Sequence, residues 1–171
     1  MLQGGAGNQG IRDRCIVLLL YYTCIRAGEL AALRVSDIIL GERSGNVQIL
    51  RGKGNKARLI PLNAEGRAVL RSYMLIRPAC EKQTLLVGQR GEPLSSHAIY
   101  DVVVKYGQHA GLEEVTPHTL RHTFARTLLA AGVPLSDVAD LLGHSSLDTT
   151  RIYTKASETE LLAAIARLET T

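Results

Sequence analysis

The hydrophobic positions at the start of this chain recur with helical spacing. From Ile11 onward, the run IRDRCIVLLLYYT is apolar on nearly every side, which is typical of a helix buried all round. The following segment, RAGELAALRVSD, predicts a second short helix that turns Leu30 and Leu33 toward the core. These two segments predict the first half of a hydrophobic core.

The pattern then changes to short strand-like runs. VQIL at Val47 to Leu50 and RLIPL at Arg58 to Leu62 flank the glycine- and lysine-rich segment RGKGNKA, which predicts a β-hairpin with a basic tip. A third strand is expected around Val35 to Leu40, because GERSGN supplies two glycines for the intervening turn. The sequence therefore predicts a small antiparallel sheet.

Helical spacing returns after the sheet, with recognisable caps. Asn63 is the expected N-cap of a helix through AEGRAVLRSYMLI, and Ser95 or Ser96 caps one through HAIYDVVVKYGQHA that stops before Gly111. A helix through HTLRHTFARTLLAA begins at TP and runs to Gly132. The remaining predicted helical segments are PLSDVADLLG, SLDTTRIYTK and the amphipathic SETELLAAIARLE. The expected fold class is mainly α with a small antiparallel β-sheet (α+β).

Length and composition indicate one domain. Residues 1–10 contain four glycines and little to bury, so we expect a flexible leader followed by one domain over 11–171. The longest apolar stretch, Ile16 to Tyr22, is too short to span a bilayer. Three cysteines without a CxxC pair indicate a reducing cytoplasm. No metal-ligand spacing, P-loop or dinucleotide-binding motif is evident, so no cofactor or metal is expected.

The charge balance agrees with a polyanionic partner but does not require one. The chain has 20 Lys and Arg against 16 Asp and Glu, a net charge of +4. The sequence pI is near 9.1. Many basic proteins do not bind nucleic acid, so the motifs must decide.

Chemistry-bearing residues lie in four sequence blocks. In PHTLRHTF, His118 and Arg121 are three apart and leave one helix face about a turn from each other; alone, such a pair is usually solvated. The other blocks are TCIRAGEL, GKGNKAR and LLGHSSLDTTRIYTK, which contain Arg26, Lys53, His144 and Tyr153. Together, over nearly all of 11–171, they resemble the catalytic domain of the tyrosine recombinases of the phage-integrase family, and most closely the Xer-type and integrase branches.

The resemblance implies a reaction and a phosphate clamp. Tyr153 would attack DNA and form a covalent 3′-phosphotyrosine, which a DNA hydroxyl reverses without metal or ATP. Arg26 and Arg121 would hold the scissile phosphate, since a guanidinium donates two parallel hydrogen bonds to phosphate oxygens. Lys53 would protonate the leaving 5′-oxygen, and its neighbour Lys56 is the alternative.

The resemblance also assigns supporting roles. His118 would take the tyrosine proton or hold the phosphate, and His144 would donate to a non-bridging oxygen in the transition state. Glu29 would orient Arg26, although a plain surface pair is the alternative. Cys24 stands where the family commonly has glycine, so we expect the turn before Arg26 to differ slightly.

Double-stranded DNA is the implied partner, and the implied activity is site-specific recombination by a homotetramer at the nucleoid. The C-terminal amphipathic helix would dock on a neighbouring subunit; folding back on its own core is the alternative. By the same resemblance we expect that the family's N-terminal core-binding domain is not part of these residues, as in either a trimmed chain or a short single-domain recombinase. No membrane or small-molecule cofactor is implied.

Two other functions fit parts of the sequence. AAGVPLSDVADLLGHSSLDTT has the pattern of a helix-turn-helix with Gly132 in the turn, which would suit a non-catalytic DNA-binding regulator. Such a regulator has no need of Arg26, Lys53 and Tyr153 together. A type IB topoisomerase would use the same chemistry to relax supercoiled DNA.

Overall fold

The computed structural model of this protein describes residues 7–50 and 57–143, which form six α-helices and a three-stranded sheet. The fold class predicted from the sequence is confirmed. The helices are α1 Asn8–Thr23, α2 Ala27–Ala32, α3 Ala64–Ile76, α4 Ser96–His109, α5 Pro117–Ala130 and α6 Leu135–Leu142. The strands are β1 Ile38–Leu40, β2 Gly45–Ile49 and β3 Arg58–Pro61.

Helix α1 is the centre of the core. It packs against α3, α4 and α5, and its buried side chains include Ile16, Leu19 and Leu20, none of which is exposed. The helix begins at Asn8, earlier than the predicted start at Ile11, because the carbonyl of Gly7 accepts hydrogen bonds from the first turn. The predicted leader is therefore wrong for residues 8–10, and residues 1–6 lie outside the described part of the chain.

The sheet is antiparallel with strand order β1-β2-β3. Val47 pairs with Ile38 on one side and with Ile60 on the other. The predicted third strand over Val35 to Leu40 is shorter than expected, because Val35–Asp37 forms a 3-10 turn. The side chain of Asp37 accepts from the backbone N–H of Arg34 at 2.8 Å and closes this turn. The basic tip predicted between β2 and β3 lies outside the described residues.

The helix caps predicted from the sequence are confirmed. Asn63 accepts from the backbone N–H of Gly66 at 2.8 Å, and Thr116 caps α5. Ser95, rather than Ser96, caps α4 by accepting from the N–H of Ala98 at 3.1 Å. These caps fix where α4 and α5 begin, and both helices begin beside the site described below.

A second apolar cluster joins the end of α1 to α5 and α6. Its buried members are Cys24, Ala125, Val138 and Leu142, and it is separate from the main core. Gly132, with φ of 84°, allows the turn between α5 and α6. The cluster therefore holds the C-terminal ends of α1 and α6 against the middle of α5. The predicted helices SLDTTRIYTK and SETELLAAIARLE lie outside the described residues.

None of the helices in the described ranges has the length and apolar character needed to cross a membrane.

Candidate active site

Arg26 lies at the N-terminus of α2, immediately after a sharp turn. Cys24 ends α1 in the left-handed region, with φ of 53°, and Arg26 takes the N-cap position of α2 with an extended backbone. Its backbone N–H donates to Oε2 of Glu29 at 2.8 Å, and its Nη1 donates to Oε1 at 3.2 Å. The predicted contact between Glu29 and Arg26 is therefore present, and the Arg26 side chain is 33% exposed.

Glu29 is also bound by an arginine that the sequence did not point out. Nη1 and Nη2 of Arg58 donate to the two carboxylate oxygens of Glu29 at 3.0 and 2.8 Å, a bidentate pair. Nε of Arg58 donates to the carbonyl of Leu141 at 3.0 Å. The available signal was the alternation in β3, where Arg58 lies two positions before the buried Ile60 and so faces the same side.

These contacts keep Glu29 ionised. Burial alone would raise the pKa of the Glu29 carboxyl group, but the hydrogen bond from Arg58 and the backbone N–H of Arg26 outweigh it. The charges of both arginines act in the same direction, and the net result is a pKa below the ordinary value. Glu29 therefore carries a negative charge between two guanidinium groups.

Arg121 is buried on α5, with 3% of its surface exposed. Its Nη2 donates to the carbonyl of Leu142 at 2.6 Å, and its Nη1 donates to the carbonyl of Cys24. Both acceptors are at helix C-termini, where carbonyl groups carry partial negative charge. Arg121 therefore connects the ends of α1 and α6 to α5, and it is not the solvated arginine that a lone His-x-x-Arg pair would suggest.

His118 is exposed on the first turn of α5 and lies beside His122. The two Nε2 atoms are 2.6 Å apart, so one ring donates its N–H to the other, and the rings are 4.2 Å apart at an angle of 75°. Burial lowers the pKa of His122, and the charges of His118 and Arg121 lower it further. His122 had no predicted role.

The pKa of His122 predicts a pH dependence of stability. The folded chain holds this imidazole neutral below its ordinary pKa of 6.5, whereas the unfolded chain protonates it there. We therefore expect the free energy of unfolding to fall as the pH drops below 6.5. Urea denaturation across this pH range should show a shallower dependence for His122→Gln. The matched control is His109→Gln, an exposed histidine on α4; an equal flattening in both variants would contradict the prediction.

Arg26, His118 and Arg121 line one cavity of 440 Å³. Its size is in the range of ligand pockets, and its walls come from the start of α2, the N-terminus of α4 and the N-terminus of α5. The further lining residues are Ile25, Ala27, Ser96, His97, Tyr100, Thr116 and Pro117. The α4 residues were missed from the sequence, although His97 and Tyr100 lie one helical turn apart at the capped end of that helix.

The cavity is suited to an anion. Two guanidinium groups and two imidazoles border it, and the nearby carboxylate of Glu29 is already paired with Arg58. Lys53, His144 and Tyr153, which the sequence also predicts for this site, lie outside the described residues. The structure thus brings together Arg26, His118 and Arg121, with Glu29 in contact with Arg26.

Comparison with known proteins decides the family. The profile of the phage integrase family matches residues 3–160. The chain belongs to the phage integrase family. The resemblance inferred from the four sequence blocks is therefore confirmed.

The chain has relatives that are named tyrosine recombinases. It is 39% identical over 152 residues to tyrosine recombinase XerC of Thermodesulfovibrio yellowstonii, covering 84% of this chain and 50% of the relative. It is 42% identical over 156 residues to tyrosine recombinase XerA of Thermococcus kodakarensis, covering 90% of this chain and 54% of the relative. The chain spans about half the length of the curated relatives it matches.

Solved structures of this family have the same fold. The crystal structure of XerA recombinase matches with a TM-score of 0.80 and 32% identity, over 92% of this chain and 56% of that one. XerH site-specific recombinase, bound to a palindromic difH substrate in a post-cleavage complex, matches with a TM-score of 0.85 and 29% identity. That match covers 97% of this chain and 48% of XerH.

Proposed function

We propose that this chain is the catalytic domain of a site-specific tyrosine recombinase, which cleaves and rejoins double-stranded DNA through a covalent 3′-phosphotyrosine at Tyr153. The observation that carries the proposal is the convergence of Arg26, His118 and Arg121 on one cavity. A non-catalytic regulator has no use for this arrangement. The named tyrosine recombinases among the relatives support the same activity.

The proposed clamp consists of the guanidinium groups of Arg26 and Arg121. Nη1 and Nη2 of Arg121 donate to the carbonyls of Cys24 and Leu142, which fixes the plane of this guanidinium beside the cavity. Nη1 of Arg26 is held by Glu29 in a similar way. In a partly enclosed cavity, such donors stabilise the negative charge that develops on phosphorus-bound oxygens in the transition state.

The covalent step conserves the energy of the phosphodiester bond. The phenolic oxygen of Tyr153 attacks phosphorus, the bond to the 5′-oxygen breaks, and Lys53 gives its proton to that oxygen. His118 accepts the phenolic proton or holds the phosphate, and His144 donates to a non-bridging oxygen. Attack by a DNA 5′-hydroxyl then reverses the sequence of events and restores the tyrosine.

We also propose how the domain works in its complete setting. Double-stranded DNA is the proposed partner, and the match to XerH recombinase bound to a palindromic difH substrate supports it. Four protomers would act on two sites through a Holliday junction at the nucleoid, with the C-terminal helix of each docked on a neighbour.

The proposal is tested with a library of nicked duplexes whose core sequence is randomised. Cleavage next to a nick releases a short fragment that cannot religate, so the covalent protein–DNA adduct accumulates and appears on denaturing electrophoresis. We expect an adduct with a selected subset of sequences. If no adduct forms at saturating DNA although the protein still binds the duplex, the proposed enzymatic function is wrong and the non-catalytic regulator is favoured. Plasmid relaxation without two-site recombination would instead identify a topoisomerase.

A further inference from the structure

Arg58 connects separate parts of the site. It is the first residue of β3 and follows Lys53 by five positions in the sequence. Its guanidinium donates to both carboxylate oxygens of Glu29 on α2 and to the carbonyl of Leu141 on α6. One side chain therefore joins the strand, the helix that begins at Arg26 and the end of α6.

The place of Arg58 is closely fitted. Its side chain is 11% exposed and that of Glu29 is 8% exposed, so the ion pair is largely removed from water. A Cβ at Gly143 would lie 2.8 Å from Nη1 of Arg58, and Gly143 has φ of 62°, so a residue with a side chain fits poorly there. Only a planar fork satisfies two carboxylate oxygens and a carbonyl together, which a lysine ammonium cannot do.

The charges of this group explain what Arg58 does for the clamp. Glu29 contacts both Arg26 and Arg58, so the three side chains together carry one net positive charge. Without Arg58, the buried carboxylate would have only Arg26 as its partner, and the pair would be neutral. Arg26 would then be drawn toward Glu29 and would attract a phosphate less strongly.

We infer that Arg58 is a positioning residue of the strand-cleavage site. It binds and neutralises Glu29, so that the guanidinium of Arg26 remains oriented toward the DNA phosphate and its positive charge is not cancelled by the carboxylate. This inference rests on the proposed function. It assigns Glu29 a place between the two arginines rather than a role for Arg26 alone. Arg58 touches no reacting atom and acts through Arg26.

The experiment compares Arg58→Gln with the double variant Glu29→Gln/Arg58→Gln on the nicked duplexes. For Arg58→Gln we expect adduct formation at saturating DNA to slow by up to about 100-fold, the size of effect that a small misplacement of a catalytic group produces. In the double variant Arg26 no longer faces an unpaired carboxylate, so the rate should recover at least about tenfold. Thermal stability should stay below that of the unmutated protein in both variants.

A purely structural role predicts a different pattern. Stability and cleavage would then fall together, and the second substitution would not restore the rate. The matched control is Arg77→Gln, which removes a partly buried arginine that donates to the carbonyls of Leu85 and Pro78 outside the site. It should lower the melting temperature without slowing cleavage.

The inference is overturned if the double variant is as slow as Arg58→Gln, or if Arg58→Gln cleaves at the unmutated rate. Should Arg58→Gln fail to fold, Arg58→Lys replaces it. Lysine keeps the charge but cannot bind both carboxylate oxygens, so we expect a smaller loss of rate, part of which Glu29→Gln restores; no restoration would overturn the inference. Failure of the unmutated protein to form any adduct is a separate outcome that overturns the proposed function itself.

Discussion

Replacement of Tyr153 by phenylalanine is expected to abolish the covalent protein–DNA adduct. Phenylalanine has no oxygen to attack phosphorus, and removal of a nucleophile typically lowers the rate by more than about 10,000-fold. Cleavage is measured with nicked duplex DNA and denaturing electrophoresis. Binding to the same duplex, measured by fluorescence anisotropy, should change less than about twofold, because the loss of one hydroxyl contact costs little binding energy.

The control for this prediction is Tyr100→Phe. Tyr100 is 42% exposed on α4 and lines the cavity, so among the tyrosines that the structure describes it is the natural rival nucleophile. We expect Tyr100→Phe to retain the adduct. An adduct that persists in Tyr153→Phe and disappears in Tyr100→Phe would reverse the assignment.

Replacement of Arg121 by alanine is expected to reduce both cleavage and stability. The carbonyls of Cys24 and Leu142 would each lose a charged donor in a buried setting, at a cost of about 3 kcal/mol of unfolding free energy. Loss of a preorganised donor to the transition state lowers the cleavage rate by about 100-fold to 1,000-fold. Denaturant titration and adduct formation at saturating DNA measure the two effects.

Arg126→Ala is the matched control for Arg121→Ala. Arg126 lies on the same helix and is exposed, so its removal should leave both the stability and the cleavage rate nearly unchanged. Activity of Arg121→Ala within about twofold of the unmutated protein would show that Arg121 is only a structural residue.

Features that depend on neighbouring residues were predictable from the sequence. Asn63 and Thr116 cap helices by bonding to N–H groups three residues later, so short-range composition specifies them. The burial of α1 followed from its uniformly apolar character, and the strand pairing from alternation around glycine-rich turns. The family motifs also predict Arg26, His118 and Arg121 in a common site, and all three line one cavity.

Features that depend on distant contacts were not predictable. Arg58 forms hydrogen bonds with Glu29 and Leu141, which are 29 and 83 positions away in the sequence. The local sequence KARLIPL does not predict either partner. Arg121 and His118 share a helix face, yet Arg121 is buried and His118 is exposed, because the ends of α1 and α6 cover only one of them. Such burial is set by packing between elements, which local spacing does not encode.

The turn at Cys24 also explains the departure from the family pattern. Glycine adopts a positive φ without strain, whereas a residue with a side chain incurs roughly 1–2 kcal/mol for the left-handed conformation. Here the side chain is fully buried in the cluster with Ala125 and Leu142, which offsets that cost. The turn before Arg26 therefore lies in the left-handed region that glycine favours; whether it differs from the family's turn stays a prediction.

The thiol of Cys24 consequently offers an internal reporter of local opening. Burial raises its pKa to about 12, and the thiol has no exposed surface, so an alkylating reagent cannot reach a reactive thiolate while α1, α5 and α6 stay together. The rate at which such a reagent labels Cys24 thus measures how often the junction around Arg121 separates. Slower labelling in the presence of DNA would register tightening of this junction without any probe having to be introduced.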